Sequence, residues 1–132
     1  MNKHIKSLLV LVLVVAVLLP TTLAQGQTAK KDKIVIGLSW NEKIHSLIQA
    51  WQDYMQAYAK EYGEKYGIES KWVINVAGGD PTQQASNIED LINQGVDVIV
   101  ARAHDAAAIG ASITAARQAG IPFITFDRES SS

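Results

Sequence analysis

The sequence predicts an α/β domain built on a doubly wound parallel sheet, and three observations support this fold class. Short apolar segments rich in β-branched residues recur along the chain, as expected for strands that are buried on both faces. Amphipathic segments with a helical period lie between them, and glycines, prolines and capping residues mark the borders. Strand and helix thus alternate three times and end on a strand, and right-handed crossovers then place the strands in one layer.

Four segments are predicted to be strands. They are IVIGL at 34–38, WVINV at 72–76, VDVIVA at 96–101 and IPFITF at 121–126. Each is too short for a typical helix, and its continuous apolar character indicates a parallel strand with helices on both sides.

The segment after the first strand is predicted to be a long amphipathic helix that ends near Gly63 or Gly67. Its apolar positions recur at steps of three and four residues, namely Ile44, Leu47, Ile48, Trp51, Met55, Tyr58 and Tyr62. Four tyrosines also recur at four-residue steps, at positions 54, 58, 62 and 66. Such a stripe is more typical of packing than of a binding platform.

Two shorter helices follow the second and third strands. Asp80 and Pro81 are a suitable N-cap and first-turn pair for one of them, which ends before Gly95. Asp105 can cap the other, which ends at Gly120.

The first 24 residues have the features of a cleavable secretory signal peptide. Lys3 and Lys6 precede an unbroken run of twelve Leu, Val and Ala residues, which Pro20 ends, and cleavage is expected after Ala24. As a helix this run would span about 18 Å, well short of the ~30 Å hydrocarbon core of a bilayer. We therefore expect an exported protein, with an uncleaved membrane anchor as the alternative.

Signal removal leaves a flexible polar leader at 25–33 and one folded domain at 34–132. These mature residues contain ten basic and thirteen acidic side chains, a net charge of −3, which argues against nucleic acid or an anionic membrane surface as a partner. The sequence has no cysteine, which excludes disulfides, thiolate metal sites and cysteine nucleophiles. Its histidines show no metal-ligand spacing, so neither a metal nor a cofactor is expected.

Candidate ligand-binding residues follow all four predicted strands. These groups are Ser39, Trp40, Asn41 and Glu42; Gly78, Gly79 and Asp80; Arg102, His104 and Asp105; and Asp127, Arg128 and Glu129. The carboxyl ends of parallel strands open on one edge of the sheet, where ligands bind in a crevice. An aromatic ring, carboxylates and guanidinium groups suit a neutral polyhydroxylated ligand such as a sugar. No nucleophile and base can be paired, so we expect binding rather than catalysis.

Each candidate also has a purely structural interpretation. Trp40 can cover the end of the first helix instead of stacking on a ligand. Asp127 and Arg128 can form a surface ion pair of small energetic value, or one half of a contact between domains. His45 and His104 can be surface or capping residues.

Three stretches of the chain together resemble the N-terminal lobe of the type 1 periplasmic sugar-binding proteins, in the ribose-binding branch that serves ABC importers. They are KIVIGLSWNEK at 33–43, GGDPTQQASNIEDLINQGVDVIV at 78–100 and AARQAGIPFITFDR at 115–128. The resemblance implies a flavodoxin-like or Rossmann-like lobe of a two-lobed clamshell, which closes on a monosaccharide and presents it to a membrane permease.

The resemblance also assigns candidate ligand-binding residues. The family's Asp-Arg pair after the fourth strand bonds sugar hydroxyls, and here it corresponds to Asp127 and Arg128. The loop after the first strand contributes polar and aromatic contacts, which corresponds here to Ser39, Trp40, Asn41 and His45. Arg102 precedes Ala103, where the family usually has proline. This departure indicates either a ligand with a carboxylate or phosphate, or no change of ligand.

The second lobe of such a clamshell has no counterpart in these 132 residues. We therefore expect the stretch on its own to provide one wall of a pocket and to bind sugar weakly or not at all. Ectodomains of membrane receptors, including two-component sensors, use the same lobe and are the alternative function. Sugar-responsive repressors also use it, but they carry a DNA-binding segment where this chain has its predicted signal peptide.

Overall fold

The computed structural model describes residues 32–128, which form a four-stranded sheet and three helices. The elements are β1 (Lys33–Trp40), α1 (Ser46–Tyr66), β2 (Glu69–Val76), α2 (Pro81–Asn93), β3 (Val98–Ala101), α3 (Ile109–Gln118) and β4 (Phe123–Thr125). The predicted signal peptide and nearly all of the leader lie outside the described residues, as do residues 129–132. Within the described part, no helix has the length and apolar character needed to cross a membrane.

All strand pairs in this sheet are parallel, and the strand order is β2-β1-β3-β4. The predicted doubly wound α/β fold class is therefore confirmed, together with the order of its elements. β1 is central and pairs along its whole length with β2 on one side, and over residues 36–39 with β3 on the other. From β1 the chain moves first to one side and later to the other, which creates a topological switch point between β1 and β3.

The observed ends of β1 and β4 differ from the predicted ones, because they depend on contacts with neighbouring elements. β1 extends to Trp40 because Ser39 and Trp40 continue its pairing with Asn75 and Val76 of β2. β4 begins at Phe123 rather than at Ile121, whose N–H donates to the carbonyl of Ala116 in α3. Pro122 has no N–H group to give to the sheet.

Two apolar cores lie on opposite faces of the sheet. One joins α2 and α3 to the sheet through Ile88, Leu91, Val96, Ile99, Ala101, Ala103, Ile109 and Ala116. The other lies under α1 and contains Leu38, Trp40 and Ile48, with partly buried Trp51, Met55, Trp72, Ile74, Val100 and Phe126 around them. Alternate residues of each strand face one core or the other, because successive side chains point to opposite faces.

The prediction that all four strands are buried on both faces is wrong for β4. Ile124 is 52% exposed, on the face that carries α1. α1 packs against β2 at the other end of the sheet, whereas α3 covers the opposite face of β4. Among the described residues, the α1 side of β4 thus remains open to solvent.

α1 is amphipathic as predicted, but its buried face is narrower than the apolar face that the sequence predicts. Ile48 is its fully buried residue, whereas Leu47 is exposed. Ile44, which lies just before the helix, is exposed as well. The packing interpretation of the tyrosine stripe is wrong, because Tyr54, Tyr58, Tyr62 and Tyr66 are all exposed. These positions lie on the flank of the helix that turns away from the sheet.

The helix ends agree with their sequence signals. α1 ends at Gly67, whose φ of 69° is left-handed and whose N–H bonds the carbonyl of Gly63. Asp80 caps α2 by accepting from the N–H groups of Thr82 and Gln83. Asp105 accepts from the N–H groups at 107 and 108, one turn before α3 begins, so its predicted capping role is confirmed at that turn.

Gly37 in the middle of β1 allows α2 to approach the sheet closely. A Cβ atom at this position would lie 3.0 Å and 3.1 Å from the two methyl carbons of Leu91 and 3.2 Å from a methyl carbon of Val96. These contacts are at the close limit for carbon atoms, so a side chain here must displace core residues.

We predict that Gly37→Val destabilises the fold by about 1–3 kcal/mol, the usual cost of overpacking a core. Urea denaturation followed by circular dichroism measures this change. Lys71→Val is the matched control, since it places the same side chain at an exposed site in β2, and its effect should stay within about 0.5 kcal/mol. A Gly37→Val protein as stable as the control would contradict the close approach of α2.

Candidate ligand-binding site

The candidate site lies at the carboxyl ends of β1, β3 and β4, beside the switch point. Backbone hydrogen bonds continue the sheet pairing into these ends, since the N–H of Arg102 donates to the carbonyl of Ser39 and that of Phe126 donates to Ala101. On the β2 side, the N–H of Gly79 donates to the carbonyl of Asn41. The strand ends are therefore held in a fixed mutual position before any side chain contributes.

Arg102 is the centre of the polar cluster. Its Nε donates to Oδ2 of Asp127 at 2.7 Å, and its Nη1 donates to Oδ1 of Asn41 at 2.8 Å and to Oε1 of Glu42. The side chain of Arg102 is only 11% exposed. Three chain segments that are distant in sequence thus converge on one guanidinium group, which suits such bonding because it is planar and always charged.

An aromatic layer supports this cluster from below. Trp40 stacks on Trp51 at a centroid distance of 6.4 Å, and both rings meet Phe126 edge to face at 5.5 Å and 6.1 Å. The guanidinium of Arg102 lies 5.6 Å from the centre of the Trp51 ring, within cation–π range. One buried and two partly buried rings therefore form an apolar base for the charged groups.

Trp40 is fully buried, at 0% exposure, and its indole N–H donates to Oε1 of Gln52 at 3.1 Å. Its ring is thus part of the α1 core, as in the packing interpretation given above. Trp51, which the sequence pattern assigned only to the face of a helix, is the tryptophan that reaches Arg102.

Asp127 and Arg128 occupy a tight turn after β4. Asp127 has a φ of 62°, in the left-handed region that residues other than glycine rarely adopt, and its side chain is 37% exposed. Arg128 is exposed and donates from Nη1 to the carbonyl of His104 at 3.1 Å. The two residues thus bond to the loop after β3, instead of forming the ion pair with each other that the sequence suggested as an alternative.

Gln84 in α2 is a buried structural residue of the site that the sequence analysis missed. Its Nε2 donates to the carbonyl of Arg102 at 2.9 Å and to Oγ of Ser39 at 3.4 Å, and its Oε1 accepts from the N–H of His104 at 2.8 Å. One amide side chain thus joins the ends of β1 and β3. Its sequence signal was weak, because a glutamine in the first turns of a helix is usually exposed.

The structure brings most of the sequence-predicted residues to this edge of the sheet. Asn41, Arg102 and Asp127 are directly bonded, while Ser39 is buried beneath them against Gln84. His45 lies at the edge of the cluster, where its Nε2 is 3.9 Å from Oε1 of Glu42. The contact of each residue with a ligand stays a prediction.

The charges of the cluster balance. Glu42 and Asp127 are acidic, Arg102 and Arg128 are basic, and the surrounding groups are amides, hydroxyls and main-chain atoms. Within residues 32–128, no group of three or more His, Cys, Asp or Glu side chains is placed to hold a metal ion. The site therefore offers a dense set of hydrogen-bond donors and acceptors with little net charge.

Comparison with known protein families gives one match that covers most of the described domain. Residues 36–132 match the family described as "Periplasmic binding protein domain". This range includes all seven helices and strands of the described residues, apart from the first residues of β1.

Individual proteins and solved structures give the same result. The chain is 30% identical over 103 residues to the ribose import binding protein of Bacillus subtilis, an alignment that covers 78% of this chain and 32% of that protein. It is also similar to the structure of an ABC transporter solute-binding protein from Mycobacterium smegmatis with bound glycerol, at 30% identity and a TM-score of 0.65, covering 76% of this chain and 33% of the other.

A third similar structure is the fructose-binding periplasmic domain of a hybrid two-component system. It is 27% identical, with a TM-score of 0.66, and the match covers 75% of this chain and 31% of the other. The chain thus spans about a third of the length of the proteins that it matches.

We predict that Gln84→Ala destabilises the domain by about 1–3 kcal/mol, because it removes the partner of the carbonyl of Arg102 and of the N–H of His104, both in partly buried hydrogen bonds. Denaturant unfolding measures the change, and faster hydrogen exchange at the amide of His104 would locate it. Gln118→Ala removes an exposed glutamine from α3 and is the control, with an expected change within about 0.5 kcal/mol. Equal stability of the two variants would contradict the role of Gln84.

Proposed function

Because the chain belongs to the periplasmic binding protein family, we propose that it serves as an extracytoplasmic solute-binding protein that captures a monosaccharide or a related polyol for an ABC importer. In this function the protein binds its ligand without changing it chemically, and its partner is the permease in the membrane. The names of the similar proteins support this reading, since they include a ribose import protein and an ABC transporter solute-binding protein.

The observation that carries the proposal is the charge-balanced polar cluster at the switch point. Each hydroxyl of a sugar needs a donor and an acceptor, and carboxylates and guanidinium groups supply both. Asp127 is partly exposed, and the exposed Arg128 lies beside it, so both can reach a ligand above the strand ends. Asn41 and Arg102 lie deeper and hold the exposed residues in place.

We propose that this surface forms one wall of a two-lobed pocket. The residues of the cluster lie on one edge of the sheet, and ligands in open α/β sheets bind in the crevice outside such an edge. A second wall would exclude water and strengthen every polar contact to the ligand. Closure of the two walls would give the conformational signal that a permease reads.

A sensor function is the second candidate, and one comparison favours it. A periplasmic domain of a hybrid two-component system has the same fold and a similar degree of identity to this chain. The genes beside this one distinguish the two functions. Genes for a permease and an ATPase favour import, whereas a kinase domain favours sensing.

We predict that the protein expressed from its intact gene binds at least one of D-ribose, D-xylose and xylitol, and that Asp127→Asn lowers this affinity about tenfold or more. Asparagine keeps the tolerance for the left-handed backbone but loses the charge that strengthens hydrogen bonds to hydroxyls. Isothermal titration calorimetry measures the affinities. Asp90→Asn, an exposed aspartate on α2, is the control and should bind as the wild type does. A wild-type protein that binds no sugar or polyol would contradict the proposed function.

We also predict that the protein isolated from the extracytoplasmic fraction of its own cell begins at Gln25. N-terminal sequencing or intact mass spectrometry checks this position. Replacement of Ala24 by a bulky residue should block cleavage, because signal peptidase sites require small residues. A protein that keeps Met1 and stays in the membrane fraction would instead indicate an uncleaved anchor.

A further inference from the structure

We propose that Arg102 is a positioning residue that holds the carboxylate of Asp127 for an uncharged ligand, and that it is not a receptor for an anionic one. This inference rests on the proposed function, since it concerns the same site. It resolves the two interpretations of Arg102 that the sequence left open.

The hydrogen bonds of Arg102 are largely used within the protein. A guanidinium group has five N–H donors, and three of them are bound by Asp127, Asn41 and Glu42. The side chain is 11% exposed, and its Cζ lies over the ring of Trp51, 5.6 Å from the ring centre. An anion could reach the N–H groups of Nε and Nη1 only by displacing these contacts, so the two N–H groups of Nη2 are the donors of Arg102 that remain for a ligand.

The charge around Arg102 also disfavours an anionic ligand. Two carboxylates, those of Glu42 and Asp127, contact its single positive charge. At Arg102, a ligand carboxylate or phosphate would therefore meet two like charges at close range in a partly buried setting, where such repulsion is strong. The exposed Arg128 would be the cation of the cluster left to attract it. A neutral hydroxyl has no such cost and can donate to either carboxylate.

Asp127 needs an external support because its own segment is weakly held. It follows β4, which has three residues and one neighbouring strand among the described residues, and it lies in a turn rather than in the sheet. Arg102 follows β3, which lies inside the sheet between β1 and β4. The bond between Arg102 and Asp127 thus ties the turn after β4 to an inner strand and restricts the movement of the Asp127 carboxylate.

The same guanidinium group fixes the loop after β1. Its bonds to Asn41 and Glu42 join that loop to the turn after β4 across the strand between them. Loss of Arg102 should therefore loosen both sides of the site and leave the sheet intact.

The test is a double-mutant cycle with Arg102→Gln and Asp127→Asn, in the protein expressed from its intact gene. Calorimetry measures the affinity for D-ribose, D-xylose and xylitol, and for the anionic probe D-xylonate, below the melting temperature of every variant. Arg117→Gln, an exposed arginine in the last turn of α3, is the matched control for charge and side-chain size.

We expect Arg102→Gln to lower the affinity for the neutral ligand about tenfold or more, as Asp127→Asn does, and the double variant to lose little beyond either single variant. Such coupling indicates that Arg102 acts through Asp127, and a general loss of stability would not produce it. D-Xylonate should bind the wild type more weakly than the neutral ligands. Arg117→Gln should match the wild type.

Two results would overturn the inference and leave the proposed function in place. In one, Arg102→Gln binds the neutral ligand as the wild type does. In the other, the wild type prefers D-xylonate and Arg102→Gln removes that preference. A wild type that binds none of the four probes would overturn the proposed function itself, and this inference with it.

Arg102→Lys is the second variant, in case Arg102→Gln does not fold. Lysine keeps the charge but cannot bond several acceptors along a planar fork. We expect its affinity for the neutral ligand to fall while the fold is retained. Unchanged affinity in Arg102→Lys would show that the fork geometry has no role and would overturn the positioning assignment.

Discussion

The structure depends on the pairing of β1 with two parallel neighbours. Because β1 bonds to β2 on one side and to β3 on the other, its carboxyl end lies where the direction of winding reverses. The crossover helices must then cover both faces, which divides the apolar residues into two cores. The polar residues that follow each strand have no place in either core. They collect at the edge of the sheet where the strands end, and the site is a consequence of this pairing.

The site places the charge of Arg102 over an apolar layer of aromatic rings. An unpaired guanidinium group at 11% exposure would lose much of its hydration, a cost of several kcal/mol in a low-dielectric setting. Two carboxylates and an amide oxygen accept from Nε and Nη1 of Arg102, and an aromatic ring lies beside its charge. The carboxylates are in turn held in one orientation by the same contacts. Buried polar clusters of this kind favour a single arrangement of side chains, because any other arrangement leaves some buried donors or acceptors without hydrogen bonds and is higher in free energy.

Sequence reasoning predicted the elements of this fold well because their signals are local. The period of apolar residues, the Asp80 cap and the glycine at the end of α1 each act within a few residues of the chain. The class of the sheet followed from the order of those elements, and the same order correctly brought Asn41, Arg102 and Asp127 to one edge.

The rest of the site could not be predicted, because it depends on contacts between distant residues. Arg102 finds Asp127 at a separation of 25 residues and Asn41 at 61 residues, and no local pattern encodes either pair. The burial of Trp40 and the exposure of the α1 tyrosines both depend on where α1 packs along the sheet. A helical period indicates that one face is apolar, but it does not state how wide the covered face is.

The position of Trp51 gives this site an optical property of its own. Its indole ring lies 5.6 Å below a guanidinium charge and stacks on a second, buried tryptophan. Indole fluorescence responds to the electric field across the ring, so small movements of Arg102 should change the wavelength or the intensity of Trp51 emission. The emission of Trp51 would therefore report on the arrangement of charges above its ring, with no added dye and no label on the solute.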